Sequence, residues 1–250
     1  MPVVFVHGVP ETALVWQPIQ RRLRQESIAL SLPGFGCPRP GGFGGTMDEY
    51  AGWLGTQLAA IDDPIDLVGH DWGGILTARV ATSGMVPLRS WVTDAVVAVH
   101  PMFRWHDLAK IWQTPGDGEE FWARFRASPV ESAALLGSLG VPDGDAMAMV
   151  EAIDSTMCTA ILDLYRSAHG IGARWKAVGE APAPGLVLIG SADHFGNEPA
   201  SRRVADHLGI DVQVLAGAGH WWPLEAADDA TAHLERFWSS VGRRAGPPVS

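Results

Sequence analysis

The chain has 250 residues, with 18 Lys and Arg against 28 Asp and Glu and a formal net charge of −10. That balance excludes a nucleic-acid binder, which needs a basic surface to neutralise phosphates. At 47% apolar and 18% charged, the composition is that of a folded chain rather than a disordered or fibrous one. No run approaches the roughly 18 apolar residues of a membrane span, and the apolar start, Met1 to Val6, is too short for a signal-peptide core. Cys37 and Cys158 lie far apart without disulfide-framework or metal-site spacing, so a reducing, cytoplasmic setting is expected.

In chain order, Pro2 to Val6 predicts a buried strand, followed by a helical face carrying Trp16, Ile19 and Leu23. Ser27 to Leu32 is a second strand ending in the turn Pro33, Gly34, Phe35, Gly36, and a Pro- and Gly-rich loop runs on to Gly45. The glycines from Gly41 to Gly45 lack the strand-then-helix placement of a phosphate loop and read as a flexible turn. Met47, Tyr50, Leu54, Leu58 and Ile61 recur at helical spacing. Ile65 to Val68 is a third strand, Gly73 to Thr82 a helix and Trp91 to Val99 a fourth strand. Such alternation specifies parallel pairing through right-handed crossovers. From Met102 to Gly179 no strand appears. The helices expected there are Arg104 to Thr114, Gly118 to Ala127, Val130 to Leu139, Gly144 to Ile153 and Ser155 to His169. Alternation then resumes with a strand at Gly185 to Ile189, a helix at Glu198 to His207, a strand at Val212 to Ala216 and a helix at Ala226 to Val241. The expected organisation is an α/β core at 1–101 and 180–241, a helical cap at 102–179 and a polar tail at 242–250.

The sharpest chemical signal is Gly69, His70, Asp71, Trp72, Gly73, Gly74, placed where an apolar strand ends and a helix begins. It is the nucleophile-elbow pattern with Asp in the place of Ser. The flanking glycines permit a tight turn that lifts the central side chain above the strand ends and onto a helix N-terminus. A carboxylate there needs no proton removed before it attacks an electrophilic carbon, and it leaves an ester on the enzyme. His7, Gly8, Val9, Pro10 follows the first strand, so the backbone N–H groups of Val9 and Trp72 are the expected oxyanion hole. His7 and His70 read as structural residues. Asp193, in Gly190, Ser191, Ala192, Asp193, His194, and His220, in Gly217, Ala218, Gly219, His220, Trp221, Trp222, complete the order nucleophile, acid, histidine at strand C-terminal ends. His220 is expected to activate water, and Asp193 to fix its tautomer.

HGVP, LPGFG, GHDWGG, the helical insertion, GSADH and GAGHW occur in the order of the α/β-hydrolase superfamily. In particular the chain resembles the Asp-nucleophile branch, the epoxide hydrolases and haloalkane dehalogenases. The resemblance implies a mostly parallel sheet with helices on both faces and a helical cap. Because the chain starts at the strand before HGVP, where the family usually has two earlier strands, the sheet is expected to be shortened to about six strands, with Ser27 to Leu32 at an edge.

Epoxide hydrolases protonate the leaving alkoxide with cap tyrosines. Here the insertion holds one, Tyr165, next to Arg166, with His106 or water as an assistant; the family's first cap tyrosine has no counterpart, since Tyr50 belongs to the core. Dehalogenases hold the halide with two N–H donors, of which Trp72 supplies one. The Asn common in HGxP of that group is Val9, leaving Trp105 or Trp112 for the second. Trp105, Trp112, Trp221 and Trp222 are the expected substrate-binding aromatics. His100, His169, His207 and His233 show no ligand spacing, so no metal and no cofactor are expected. The expectation is a monomeric or homodimeric hydrolase that opens a small hydrophobic epoxide. A haloalkane dehalogenase is the alternative, and a non-catalytic ligand-binding protein the third reading.

Overall fold

The computed structural model describes residues 1–244. Its first half contains β1 (Val3–Val6), α1 (Gln17–Gln20), β2 (Ser27–Leu30), α2 (Met47–Ala59), β3 (Asp66–Gly69), α3 (Trp72–Ser83) and β4 (Ser90–Thr93). Helices α4 (Asp107–Gln113), α5 (Asp117–Ala127), α6 (Pro129–Ser138), α7 (Asp143–Ala152), α8 (Ser155–Ser167) and α9 (Ile171–Arg174) follow. The chain then returns through β5 (Gly185–Gly190), α10 (Glu198–Leu208), β6 (Asp211–Leu215), α11 (Trp222–Glu225) and α12 (Ala227–Arg244). The six strands form one sheet in the order β2-β1-β3-β4-β5-β6, and every pairing is parallel. This is the α/β-hydrolase architecture expected from the sequence, with β2 at an edge.

The inner strands β1, β3, β4 and β5 are buried along their whole length because both faces of the sheet are covered there, whereas the edge strands β2 and β6 are partly exposed. Side chains alternate across a strand, so Val4 and Val6 enter the core shared with α2 and α3, while Val3 and Phe5 enter the opposite core with Trp16, Trp222 and Trp238. Each such fully buried side chain is worth roughly 1.5–3 kcal/mol, which makes the strand ends rigid mounts. Chain order leaves β1 outward to β2 and then comes back to β3 on the other side of β1. Ligands bind at that reversal of direction, beyond the carboxyl ends of the strands. The HGVP loop leaves β1 there, and Asp71 leaves β3 beside it.

The differences from expectation are local. The fourth strand stops at Thr93 and Val96–Val99 is a 3-10 turn. Thr93 Oγ1 accepts the Ala95 N–H at 3.0 Å and donates to the Gly74 carbonyl at 2.9 Å, so the chain turns there instead of extending. The second strand ends at Leu30, and the Leu32 N–H goes to His7 Nε2 at 3.1 Å rather than to the ladder. The helical face of Trp16 and Ile19 is a 3-10 turn, Ala13–Trp16, followed by the single turn α1. α4 starts at Asp107, capped by His106. Helix α12 runs past Val241 to Arg244, into the expected tail; the remainder of that tail, 245–250, lies outside the described residues. Both cysteines are free thiols. Among the described residues no helix is long and apolar enough to cross a membrane.

Candidate active site

Asp71 joins β3 to α3 at φ 50°, ψ −120°, the one non-glycine residue with positive φ among the described residues. Such a conformation costs on the order of 1–3 kcal/mol and persists only where its surroundings impose it. Two close approaches do so. A Cβ on Gly73 would collide with the Val6 carbonyl, and one on Gly8 would collide with the Asp71 side chain itself. Although Asp is a favoured helix cap, Asp71 makes no side-chain capping bond to α3. Its carboxylate is turned outward instead.

One oxygen, Oδ1, accepts the Val9 N–H at 2.8 Å, and the Trp72 backbone N–H lies close enough to favour the ionised carboxylate. The other, Oδ2, lies 3.8 Å from His220 Nε2. His220 Nδ1 meets Asp193 Oδ2 at 3.1 Å, and Asp193 Oδ1 accepts the N–H groups of Phe195 at 2.7 Å and Gly196 at 3.1 Å. The three residues predicted from three strand ends are thus brought together. Burial pushes the Asp71 carboxyl up to about 6, against the pull of the His220 and His70 charges. Burial works downward on His220, but the Asp193 bond and the carboxylate charges outweigh it and raise its pKa. Asp193 is held below the usual range because the His220 bond and charge, with two N–H donors, overcome burial.

Beneath Asp71 lies a network that the sequence reading missed. Glu11 and His70 are fully buried, with Asp94 nearly so. His70 Nε2 meets Glu11 Oε1 at 3.0 Å, and His70 Nδ1 meets Asp94 Oδ2 at 2.5 Å. Two carboxylate acceptors require two ring protons, so His70 is an imidazolium. Burial opposes that charge, but both acids together raise the His70 pKa well above its ordinary value. Glu11 Oε2 accepts the Gly8 N–H at 3.0 Å, and Asp94 Oδ1 accepts the Asp71 N–H at 2.9 Å. One ion cluster therefore ties the loop after β1 to the turn between β3 and α3. His7 is fixed above it, Nε2 accepting from Leu32 and Nδ1 donating to the Gly8 carbonyl at 2.8 Å, and burial lowers its pKa to about 4.

Two cavities meet at Asp71. The first, about 40 Å³, lies under the inserted helices with Trp112, Trp122, Phe125, Leu136, Tyr165 and Trp221 in its wall. The second, about 250 Å³, opens sideways past Trp105, Phe103 and Phe195 to Arg104, Asn197 and Arg203. Asp71, His106, Phe195 and His220 face both. Trp105 lines the second cavity; it stacks on Trp72 at 5.5 Å and spends its Nε1–H on the Ala168 carbonyl at 3.2 Å. Trp222, expected in the pocket wall, lines neither cavity. It begins α11 on the far side of the sheet against Trp16 and donates Nε1–H to Asp94 Oδ2 at 2.8 Å. Tyr165 is buried in the first cavity. Burial and the Asp71 charge keep its pKa well above the phenol range. Among the described residues no group of three or more His, Cys, Asp or Glu is placed to hold a metal ion.

A family model described as the alpha/beta hydrolase family matches residues 3–234. Among solved structures, the chain is similar to haloalkane dehalogenase DbeA from Bradyrhizobium elkani USDA94, with a TM-score of 0.77 and 20% identity over 97% of this chain and 91% of that one. It is similar also to a Pseudomonas aeruginosa protein provisionally assigned as an epoxide hydrolase (TM-score 0.75, 19% identity, 97% and 89% covered). The 2-hydroxy-6-oxo-6-phenylhexa-2,4-dienoate hydrolase BphD from a Rhodococcus strain is a third (TM-score 0.77, 21% identity, 95% and 90% covered). At these identities the likeness is one of fold. A curated relative, polyketide synthase ThaQ of Burkholderia thailandensis, is 27% identical over 229 residues; the match takes in 87% of this chain and 11% of that protein's length. With the family model spanning all six strands and every inserted helix, the chain belongs to the alpha/beta hydrolase family.

Proposed function

We propose that the protein is a hydrolase that opens an epoxide to a diol through an ester on Asp71. The observation that carries this reading is the division of labour on one carboxylate. Val9 N–H holds Oδ1, Oδ2 faces His220 at 3.8 Å, and the hydroxyl-bearing Tyr165 shares the cavity. Oδ2 attacks a ring carbon, the carbon–oxygen bond breaks, and the Tyr165 hydroxyl gives its proton to the departing alkoxide. Esterification removes the Asp71 charge, one of those that raise the His220 pKa, so the imidazole sheds its own proton more readily and is neutral, free to accept one from water, once the ester exists. His220 then takes a proton from water, the hydroxide adds to the ester carbon, and the charge on Oδ1 is met by the Val9 and Trp72 N–H groups. Collapse expels the diol and restores the carboxylate, and the imidazolium proton returns to the tyrosinate.

His106 fits the place of a second donor. Its Nδ1 accepts the Ala109 N–H at 3.1 Å, so the ring proton sits on Nε2. Burial, with the His220 charge, lowers its pKa to about 4, which keeps the ring neutral at pH 7. A neutral N–H hydrogen-bonds a developing alkoxide while Tyr165 delivers the proton. Tyr165→Phe is therefore expected to lower epoxide turnover by about 10²-fold, read as kcat/KM for diol formation. Alkyl halide turnover needs no acid and is expected to fall far less.

A haloalkane dehalogenase is the second reading, favoured by one observation. The buried indole N–H groups of Trp72 and Trp112 have no partner, and both rings pack on Tyr165, at 5.5 and 4.8 Å. Trp105 is spoken for by Ala168. Diol and halide release from an aryl epoxide and a bromoalkane separate the two reactions. Intact-protein and peptide mass spectrometry of His220→Gln with the epoxide is expected to show a persistent adduct on Asp71. Halide release without diol establishes the second reading; saturable binding without turnover or adduct establishes a receptor.

A further inference from the structure

The two cavities at Asp71 differ in size and chemistry. Apart from Asp71, His106, Tyr165 and His220, the pocket under the inserted helices has an apolar wall, and its 40 Å³ hold on the order of three water molecules. That is room for a small alkyl group, not for the body of a large hydrophobe. The side cavity is about six times larger and runs from Asp71 past Trp105 and Phe195 to a mouth bearing Arg104 and Arg203. Neither guanidinium at this mouth is in an ion pair among the described residues. Arg104 Nη1 bonds the Pro101 and Phe103 carbonyls. Lys176 and His207 lie close enough that their charges, with that of Arg203 and after burial, lower the His100 pKa. The acids that line the same cavity sit at its inner end. Asp94 and Asp193 have their oxygens filled by His70, Trp222, His220 and backbone N–H groups, and Asp71 is the nucleophile.

On the epoxide reading above, we infer that the substrate is an amphiphile whose epoxide carries a small alkyl group on one side, held in the cap pocket, and a longer arm on the other, ending in an anionic group at Arg104 and Arg203. The reverse orientation would bury a charge among Trp112, Trp122 and Leu136, a penalty of several kcal/mol or a forced protonation. A carboxylate and a phosphate monoester share the chemistry the two guanidinium groups recognise.

The test compares three epoxides with the same small alkyl end and the same tether, ending in a carboxylate, its methyl ester or a phosphate monoester. The readout is the ratio of kcat/KM for anion over ester. In the unaltered protein an anion is expected to be preferred by about 10-fold, with the better of the two naming the source, and the preference is expected to shrink as salt rises. In Arg104→Ala/Arg203→Ala the ratio is expected to fall to about 1. An ester turned over as well as either anion, or a preference that survives in the double variant, overturns the inference. If no epoxide is hydrolysed, the reaction assignment fails by itself. Binding of the saturated, epoxide-free carboxylate, followed by tryptophan fluorescence, then decides the arm: affinity lost in the double variant supports it, and equal affinity overturns it.

Discussion

Asp71→Asn is expected to lower turnover by about 10⁴-fold or more while making the protein more stable. The carboxamide oxygen can still accept the Val9 N–H, so the elbow keeps its geometry, but an amide does not alkylate. The stability gain follows from the raised pKa. The Asp71 carboxyl titrates near 3.8 when unfolded and at about 6 when folded. Between those values the native state binds the extra proton, so the native protein loses stability as pH rises from about 4 to 6 and the loss is complete above 6. A shift of that size corresponds to about 3 kcal/mol at most, reduced by the weaker hydrogen bond an amide makes with Val9. Urea unfolding of both proteins at pH 5 and pH 8 checks it: the variant should lead at pH 8, and the lead should narrow at pH 5. The same titration sets the acid limb of kcat/KM, since only the ionised carboxylate attacks, and activity should fall tenfold per pH unit below about 6. Unchanged turnover in a variant whose mass shows no deamidation removes Asp71 from the mechanism.

The residues legible in the sequence were those whose role is announced by their neighbours. Asp71 stands between glycines at a strand-to-helix turn, and Asp193 and His220 follow apolar strands within Gly-rich turns. Glu11 and Asp94 carried no such mark. Glu11 is 59 positions from His70, and Asp94 is 128 from Trp222, so their partners exist only after the sheet is assembled. The available signal was a conflict: Asp94 interrupts an apolar run read as one strand from Trp91 to Val99, and a buried acid inside a strand needs a partner. Trp221 and Trp222 show the other limit. Adjacent in sequence, they are equally apolar, yet the start of α11 sends one into the pocket under the inserted helices and the other under the sheet. Composition cannot sort side chains that a single turn separates. The small volume of the apolar pocket was equally illegible, because its aromatics mostly fill it themselves: Trp112, Trp122 and Tyr165 pack ring on ring at 4.8 to 5.3 Å.

His70→Gln is expected to leave two separable signatures. Glu11 and Asp94 would remain buried around a neutral amide, and breaking such an ion cluster costs about 3–5 kcal/mol, or roughly a 10 °C fall in Tm for a chain of this size. Because the folded His70 pKa lies above its unfolded value of 6.5, the stability it confers is fully present below about pH 6.5 and is lost as pH rises through the folded value. The gap between the two proteins should therefore narrow at alkaline pH. The second signature is catalytic. The charged groups facing the imidazolium are Glu11, Asp94, Asp71, His220 and His7. Its positive charge lowers the Asp71 pKa, whereas the Glu11 charge raises it. His70→Gln should move the acid limb of kcat/KM to higher pH, and Glu11→Gln, which keeps the imidazolium, should move it to lower pH. A purely structural brace would lower activity in both variants and displace neither limb. Opposite displacements identify the cluster as the electrostatic setting of the nucleophile, and limbs that stay in place, or move together, refute it.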